Sequence, residues 1–192
     1  FTIFGMLPYL IGGYIPSVTD AFFETMSGFT TTGATILDNI ESMPHGILFW
    51  RSLTQWIGGL GIVFFTIVLM PGFGASSQML YLSEATGVTH NKLYPKTRVM
   101  ARYIFVVYIL LTAIESVLLK IGGMSLYDAI CHSMTTTATG GFSTKQESIA
   151  YWHSSYIEYV VSLFMLLSAI NFSLYIVAIG GSWKQLWQNV EL

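Results

Sequence analysis

Residues 17–36 read SVTDAFFETMSGFTTTGATI and residues 125–144 read SLYDAICHSMTTTATGGFST. Moving the first along by 108 positions lays it on the second without a gap: Ser17 meets Ser125, Asp20 meets Asp128, Ala21 meets Ala129, Met26 meets Met134, Thr31 meets Thr139 and Gly33 meets Gly141. These six identities in twenty, with the hydroxyl exchanges Thr25/Ser133, Ser27/Thr135 and Thr35/Ser143, mark an internal repeat. Each copy opens with a serine placed to cap a helix and an acid three residues on, the capping-box pattern. An apolar run follows that is too short to cross a bilayer and too apolar for a solvent loop, and after it a loop of threonine and glycine. Both copies therefore suit a re-entrant segment, a short helix that enters the membrane, stops, and gives way to an irregular polar loop.

The rest of the chain supplies the membrane. Of 192 residues 53% are hydrophobic and 9% charged, and the mean hydropathy is +0.62, far from a soluble domain with about a quarter of its residues charged. Three stretches are long and apolar enough to span, at about 47–70, 99–121 and 154–179. The first sixteen residues are apolar without a basic leader. As a helix they would reach about 24 Å, short of a hydrocarbon core of about 30 Å, so the first helix is expected to have lost its beginning. The net charge of −2 and the lack of a basic arm give no reason to expect a nucleic-acid partner. The lone cysteine, Cys131, excludes an intrachain disulfide framework and reads as a small buried apolar residue.

The expected organisation is all-α: a first helix, pore loop and helix over 1–70, a linker over 71–98, and a second such unit over 99–192. The segment 71–102 carries Lys92, Lys96, Arg98 and Arg102, half of the eight basic residues, which predicts a cytoplasmic position for it. The re-entrant loops, one helix away, then open to the outside.

A half-membrane helix entering from outside directs its partial negative end inward and favours a cation there. The loop beyond it can turn carbonyl oxygens toward an ion and replace its water shell. Glycine supplies the backbone angles this requires, and threonine hydroxyls can support the loop or add an oxygen. Ordinary polar turns between helices are the plain alternative for either loop alone. The matched caps, apolar runs and glycines argue against it for the pair.

The order SVTDAFFETMSGFTTTGAT, LFWRSLTQWIGGLGI, DAICHSMTTTATGGFST resembles the TrkH/KtrB superfamily of bacterial potassium-uptake proteins, and its TrkH branch in particular. The resemblance covers nearly the whole chain. It implies a potassium-channel-like fold in which four repeats of helix, pore loop and helix surround one ion pathway, this chain being similar to the first two. By the same resemblance Gly33 and Gly141 match the filter glycines, and Thr31, Thr32, Ala34, Thr139, Gly140 and Phe142 match their neighbours. Glycine at the first-repeat position goes with potassium in such proteins and serine with sodium. The resemblance further implies potassium as the transported ion, no cofactor, the remaining two repeats in the parent chain, a homodimer at full length, a cytosolic nucleotide-binding regulatory subunit, and the bacterial cytoplasmic (inner) membrane.

Other residues admit more than one use. Glu115, an acid within a spanning helix, can contact the ion, bond a neighbouring helix or reach the outer interface. Glu24 and His132 occupy equivalent places (24 plus 108 is 132); packing or hydrogen bonding behind the filter is favoured over a metal or proton relay, since two isolated residues make a poor metal site. Asn171 suits an interhelical hydrogen bond, and Gly58, Gly59 and Gly61 suit close helix packing. Arg51, beside Trp50, is expected to snorkel to the interface, and Trp152, Trp183 and Trp187 to sit in interfacial belts. An intramembrane hydrolase using Ser143 or His132 is the rival of another class, without a supporting pattern. A non-conducting scaffold or sensor of the same fold is the third reading.

Overall fold

The structure, a computed structural model, describes residues 1–62, 97–170, 172 and 175. Its helices are α1 (Thr2–Gly5), α2 (Leu7–Ile11), α3 (Val18–Phe29), α4 (45–62), α5 (Thr97–Ile121), α6 (Leu126–Thr137) and α7 (Ser155–Ala169), with 3-10 turns at Ile40–Ser42 and Ser148–Trp152. No strand occurs among the described residues.

The first apolar run is broken at Met6 because Pro8 has no N–H to continue the helical ladder. Tyr9 N turns to Met6 O at 3.1 Å, and the Gly5 carbonyl so released accepts the indole N–H of Trp50 at 2.9 Å. α5 contains the one described helix long and apolar enough to cross a membrane, Ala101–Ile121. It buries Ile104, Val107, Tyr108, Leu111, Glu115 and Leu119, a stripe at helical spacing, and exposes Val106, Ile109, Leu110, Ile114, Val117 and Ile121. An exposed face so apolar suits lipid.

Two clusters hold the helices. Tyr9, Ile15, Ala21 and Ile47 pack α2, α3 and α4 together, while Ile104, Tyr108, Leu119, Ala129, Ile157 and Phe164 join α5, α6 and α7. Between the clusters runs α4, with small residues where backbones approach. A Cβ on Gly58 would strike the Phe29 backbone, and one on Gly59 would crowd Ala138 and the Tyr108 hydroxyl; Gly61 meets nothing within 4 Å. Gly28 of α3 lies against Thr54. Gly58 and Gly59 thus do the packing expected of them.

α7 differs from the continuous helix expected over 154–179. It ends at Ala169, with Ile170 extended at φ −68° and ψ 138°. The Leu167 carbonyl accepts Ile170 N at 3.3 Å and the Tyr175 hydroxyl at 2.6 Å, and Phe172 and Tyr175 are again helical. Residues 63–70, most of the linker at 71–96, Asn171, Trp183 and Trp187 lie outside the described residues.

Candidate functional site

α3 and α6 are twelve residues each and superpose at the 108-residue offset. Ser17 Oγ accepts Asp20 N and Ser125 Oγ accepts Asp128 N, so both expected caps form. The helices also end alike. Thr31 N bonds Gly28 O and Thr32 N bonds Ser27 O, at 2.9 and 3.0 Å; Thr139 N bonds Thr136 O and Gly140 N bonds Thr135 O, both at 2.8 Å. This pair of bonds is the Schellman closure, which places one residue in the left-handed region. That residue is a threonine in both copies, Thr31 at φ 55° and Thr139 at φ 54°, and two residues later Gly33 and Gly141 are also positive, at 76° and 83°. Two equal departures from ordinary backbone, 108 residues apart, are a property of the repeat.

The carbonyl oxygens of Thr31, Thr32, Gly33, Thr139, Gly140, Gly141 and Phe142 accept no hydrogen bond among the described residues. Ala34 departs from its expected place in this set, because its carbonyl is turned back to the Ser27 hydroxyl at 2.6 Å. The two loops touch: a Cβ on Gly33 would fall onto the Gly140 carbonyl oxygen. Thr32 Oγ1 is 2.8 Å from Thr30 Oγ1, which itself donates to Met26 O, so this hydroxyl braces loop 1.

Behind the loops the repeat persists with changed chemistry. In the first copy Leu37 N bonds Thr35 Oγ1 at 3.1 Å, and that hydroxyl donates to the Glu24 carboxylate at 2.9 Å. In the second, Lys145 N bonds Ser143 Oγ at 2.9 Å, and His132 Nε2 lies 2.9 Å from the same oxygen. His132 Nδ1 is 2.8 Å from the Asp128 carbonyl, which can only accept, so Nδ1 carries the proton and Nε2 accepts from Ser143. Glu24 and His132 are thus hydrogen-bonded behind their loops, the use favoured from sequence. The Ser143–His132 contact lacks a carboxylate on Nδ1, so it has no triad. Asp128 bonds Thr144 and Ser125 at 2.6 Å each.

Arg51 does not snorkel. It is 1% exposed, with Nε 2.9 Å from Glu24 Oε1, Nη2 3.2 Å from Thr35 Oγ1, Nη1 3.1 Å from the Ser143 carbonyl, and its cation 4.2 Å from the centre of the Phe142 ring. Burial became possible because Glu24, itself fully buried, neutralises the charge. One turn deeper, Gln55 is also buried and its Oε1 accepts Phe142 N at 3.0 Å; its Nε2 has no partner among the described residues. Sequence reasoning missed Gln55. The available signal was its spacing, four residues from Arg51 on one face of α4, toward the loops.

Glu115 is fully buried on α5, and neither carboxylate oxygen has a hydrogen-bond partner among the described residues. Trp152 is half-buried, packed edge-on to His132 with ring centres 5.1 Å apart and against the cluster that joins α5, α6 and α7. Cys131 is buried and unpaired. The two copies are also joined by Tyr127, whose hydroxyl donates to His45 O at 2.5 Å, and by Gln146, whose Oε1 accepts Ile40 N at 3.1 Å.

The family model described as "TrkH: Cation transport protein" matches residues 6–188. The Trk system potassium uptake protein TrkH of Escherichia coli K12 is 41% identical over 177 residues, which cover 91% of this chain and 37% of that relative. TrkG of the same organism is 42% identical over 175 residues, covering 90% and 36%. The crystal structure of the potassium transporter TrkH from Vibrio parahaemolyticus superposes with a TM-score of 0.78 at 38% identity, over 92% of this chain and 35% of that one. The chain spans about 37% of the length of the curated relatives it matches first.

Proposed function

The chain belongs to the TrkH family of cation transport proteins, and from that premise we propose that it forms two loops of a potassium filter in a multi-pass membrane transporter. The observation that carries this reading is the pair of Schellman-closed loops whose carbonyls at 31–33 and 139–142 accept no hydrogen bond among the described residues. At membrane depth a free carbonyl is costly unless something replaces water, and a partly dehydrated cation does so. Relatives named as potassium uptake proteins favour potassium as that cation.

On this reading the ion meets Thr31, Thr32, Gly33, Thr139, Gly140, Gly141 and Phe142, with Ala34 shaping the first loop. Residues 1–70 and 99–192 are the two repeats and 71–98 the linker between them. The basic linker faces the cytoplasm and offers a docking place for a nucleotide-binding regulatory subunit, while the loops open outward in the bacterial inner membrane. The full-length parent supplies two further repeats and pairs as a homodimer.

The test is Gly33→Ser in the full-length protein that carries this chain, with potassium and sodium permeability measured after reconstitution. The expected outcome is a lower potassium-to-sodium ratio. An unchanged ratio removes Gly33 from the filter.

A further inference from the structure

Carbonyl oxygens discriminate between ions only while the loops that carry them keep their spacing, and the spacing between two loops is a property of neither loop alone. Arg51 bonds both. Its guanidinium reaches loop 1 through the Thr35 hydroxyl at 3.2 Å and loop 2 through the Ser143 carbonyl at 3.1 Å, while Phe142, directly before Ser143, lies under its plane at 4.2 Å. Glu24 takes the third arm at 2.9 Å.

We propose that Arg51, neutralised by Glu24, is a positioning residue for ion selection, holding the first and second filter loops at a fixed separation. The proposal rests on the reading of 31–33 and 139–142 as filter carbonyls. Any buried guanidinium must place the donors its carboxylate leaves free. Here the remaining donors are divided between one group from each loop, and the rigid planar fork fixes the angle between them. Lysine in the same place keeps a charge for Glu24 but is a point donor on a flexible stem, and it cannot reproduce three directed bonds. The pairing also has an electrostatic consequence. An uncompensated guanidinium behind the loops would repel cations from the filter, and Glu24 cancels that field at close range.

The experiment uses the full-length protein in liposomes, with Gly33→Ser as a parallel reference. Arg51→Lys is expected to leave a folded protein whose potassium-to-sodium permeability ratio falls on the order of tenfold, the scale of one charge-assisted hydrogen bond. The double variant Glu24→Gln with Arg51→Met leaves no unpaired buried charge and is expected to lose selectivity in the same direction. Glu24→Gln alone leaves the guanidinium uncompensated and is expected to lower the flux of both ions. Unchanged ratios in Arg51→Lys and in the double variant, while Gly33→Ser shifts the ratio, overturn the proposal and leave the filter reading standing. If Gly33→Ser also shifts nothing, the filter reading itself fails, and the proposal with it. Should neither Arg51 variant fold while Gly33→Ser does, the pair is a requirement of the fold and the positioning role is refuted.

Discussion

Thr31 and Thr139 show how much the loops demand of single residues. A β-branched side chain at φ near 55° costs on the order of 1–3 kcal/mol, and helices usually place glycine there. Here glycine comes two residues later, where the need is different. Gly33 has φ 76° and the Gly140 carbonyl directly where a Cβ would stand, whereas Gly141 has φ 83° and nothing within 4 Å of its Cβ position. The two glycines look equivalent in sequence, and the structure separates them. Gly141→Ala should cost about 1–2 kcal/mol for the backbone alone. Gly33→Ala should add a backbone collision worth about 1–3 kcal/mol, because the Gly140 carbonyl is not the free end of a side chain that can swing aside. Thermal unfolding of the two variants in the full-length protein measures the difference; equal losses would show that the loops do not press on each other at Gly33.

At the scale of elements, the short helices were legible because their signals are local. Serine caps, an acid three residues on, an apolar run and a polar glycine loop fall within twenty residues, and their recurrence at a fixed offset adds evidence that one copy lacks. The caps differ in strength. Ser125 Oγ lies 3.0 Å from Asp128 N and also donates to Asp128 Oδ2 at 2.6 Å, whereas Ser17 Oγ is 3.4 Å from Asp20 N, near the limit of a hydrogen bond. Ser125→Ala should therefore destabilise by about 1 kcal/mol and Ser17→Ala by less, within the usual range for caps; hydrogen exchange at the first turns of α6 and α3 reports each loss. What sequence did not give was the use of α4. Arg51 sits 27 residues from Glu24 and 92 from Ser143, and no local pattern says that a lone arginine at a helix end will find a buried acid instead of water. The break after Ala169 was hidden for a related reason. Periodicity continues through residue 179, and the Tyr175 hydroxyl taking the Leu167 carbonyl is a choice made in space.

For the whole molecule, the question is whether two loops suffice. The first and second copies are tied by Tyr127–His45 and Gln146–Ile40 and behind their loops by Arg51, so they form one packed unit. Yet Thr139 and Gly141 stay exposed, as do Thr32 and Ala34, and the chain covers only about 37% of the length of its first-matched relatives. An ion held by carbonyls from two loops keeps water on its open side, and partial hydration weakens the discrimination a filter exists to make. Exposed loop backbone cannot be satisfied by lipid either. Two copies could meet through these faces and imitate a ring of four loops, but the chemistry behind the loops is unlike in the two repeats, Glu24 in one and His132 in the other. Neither was shaped to stand in for a third or fourth. The 192-residue chain alone, reconstituted in liposomes, should therefore give no potassium-selective flux, while the full-length protein under the same conditions does. Selective flux from the chain alone that disappears when Gly33→Ser and Gly141→Ser are introduced together would mean that two loops, or a pair of copies, complete the filter.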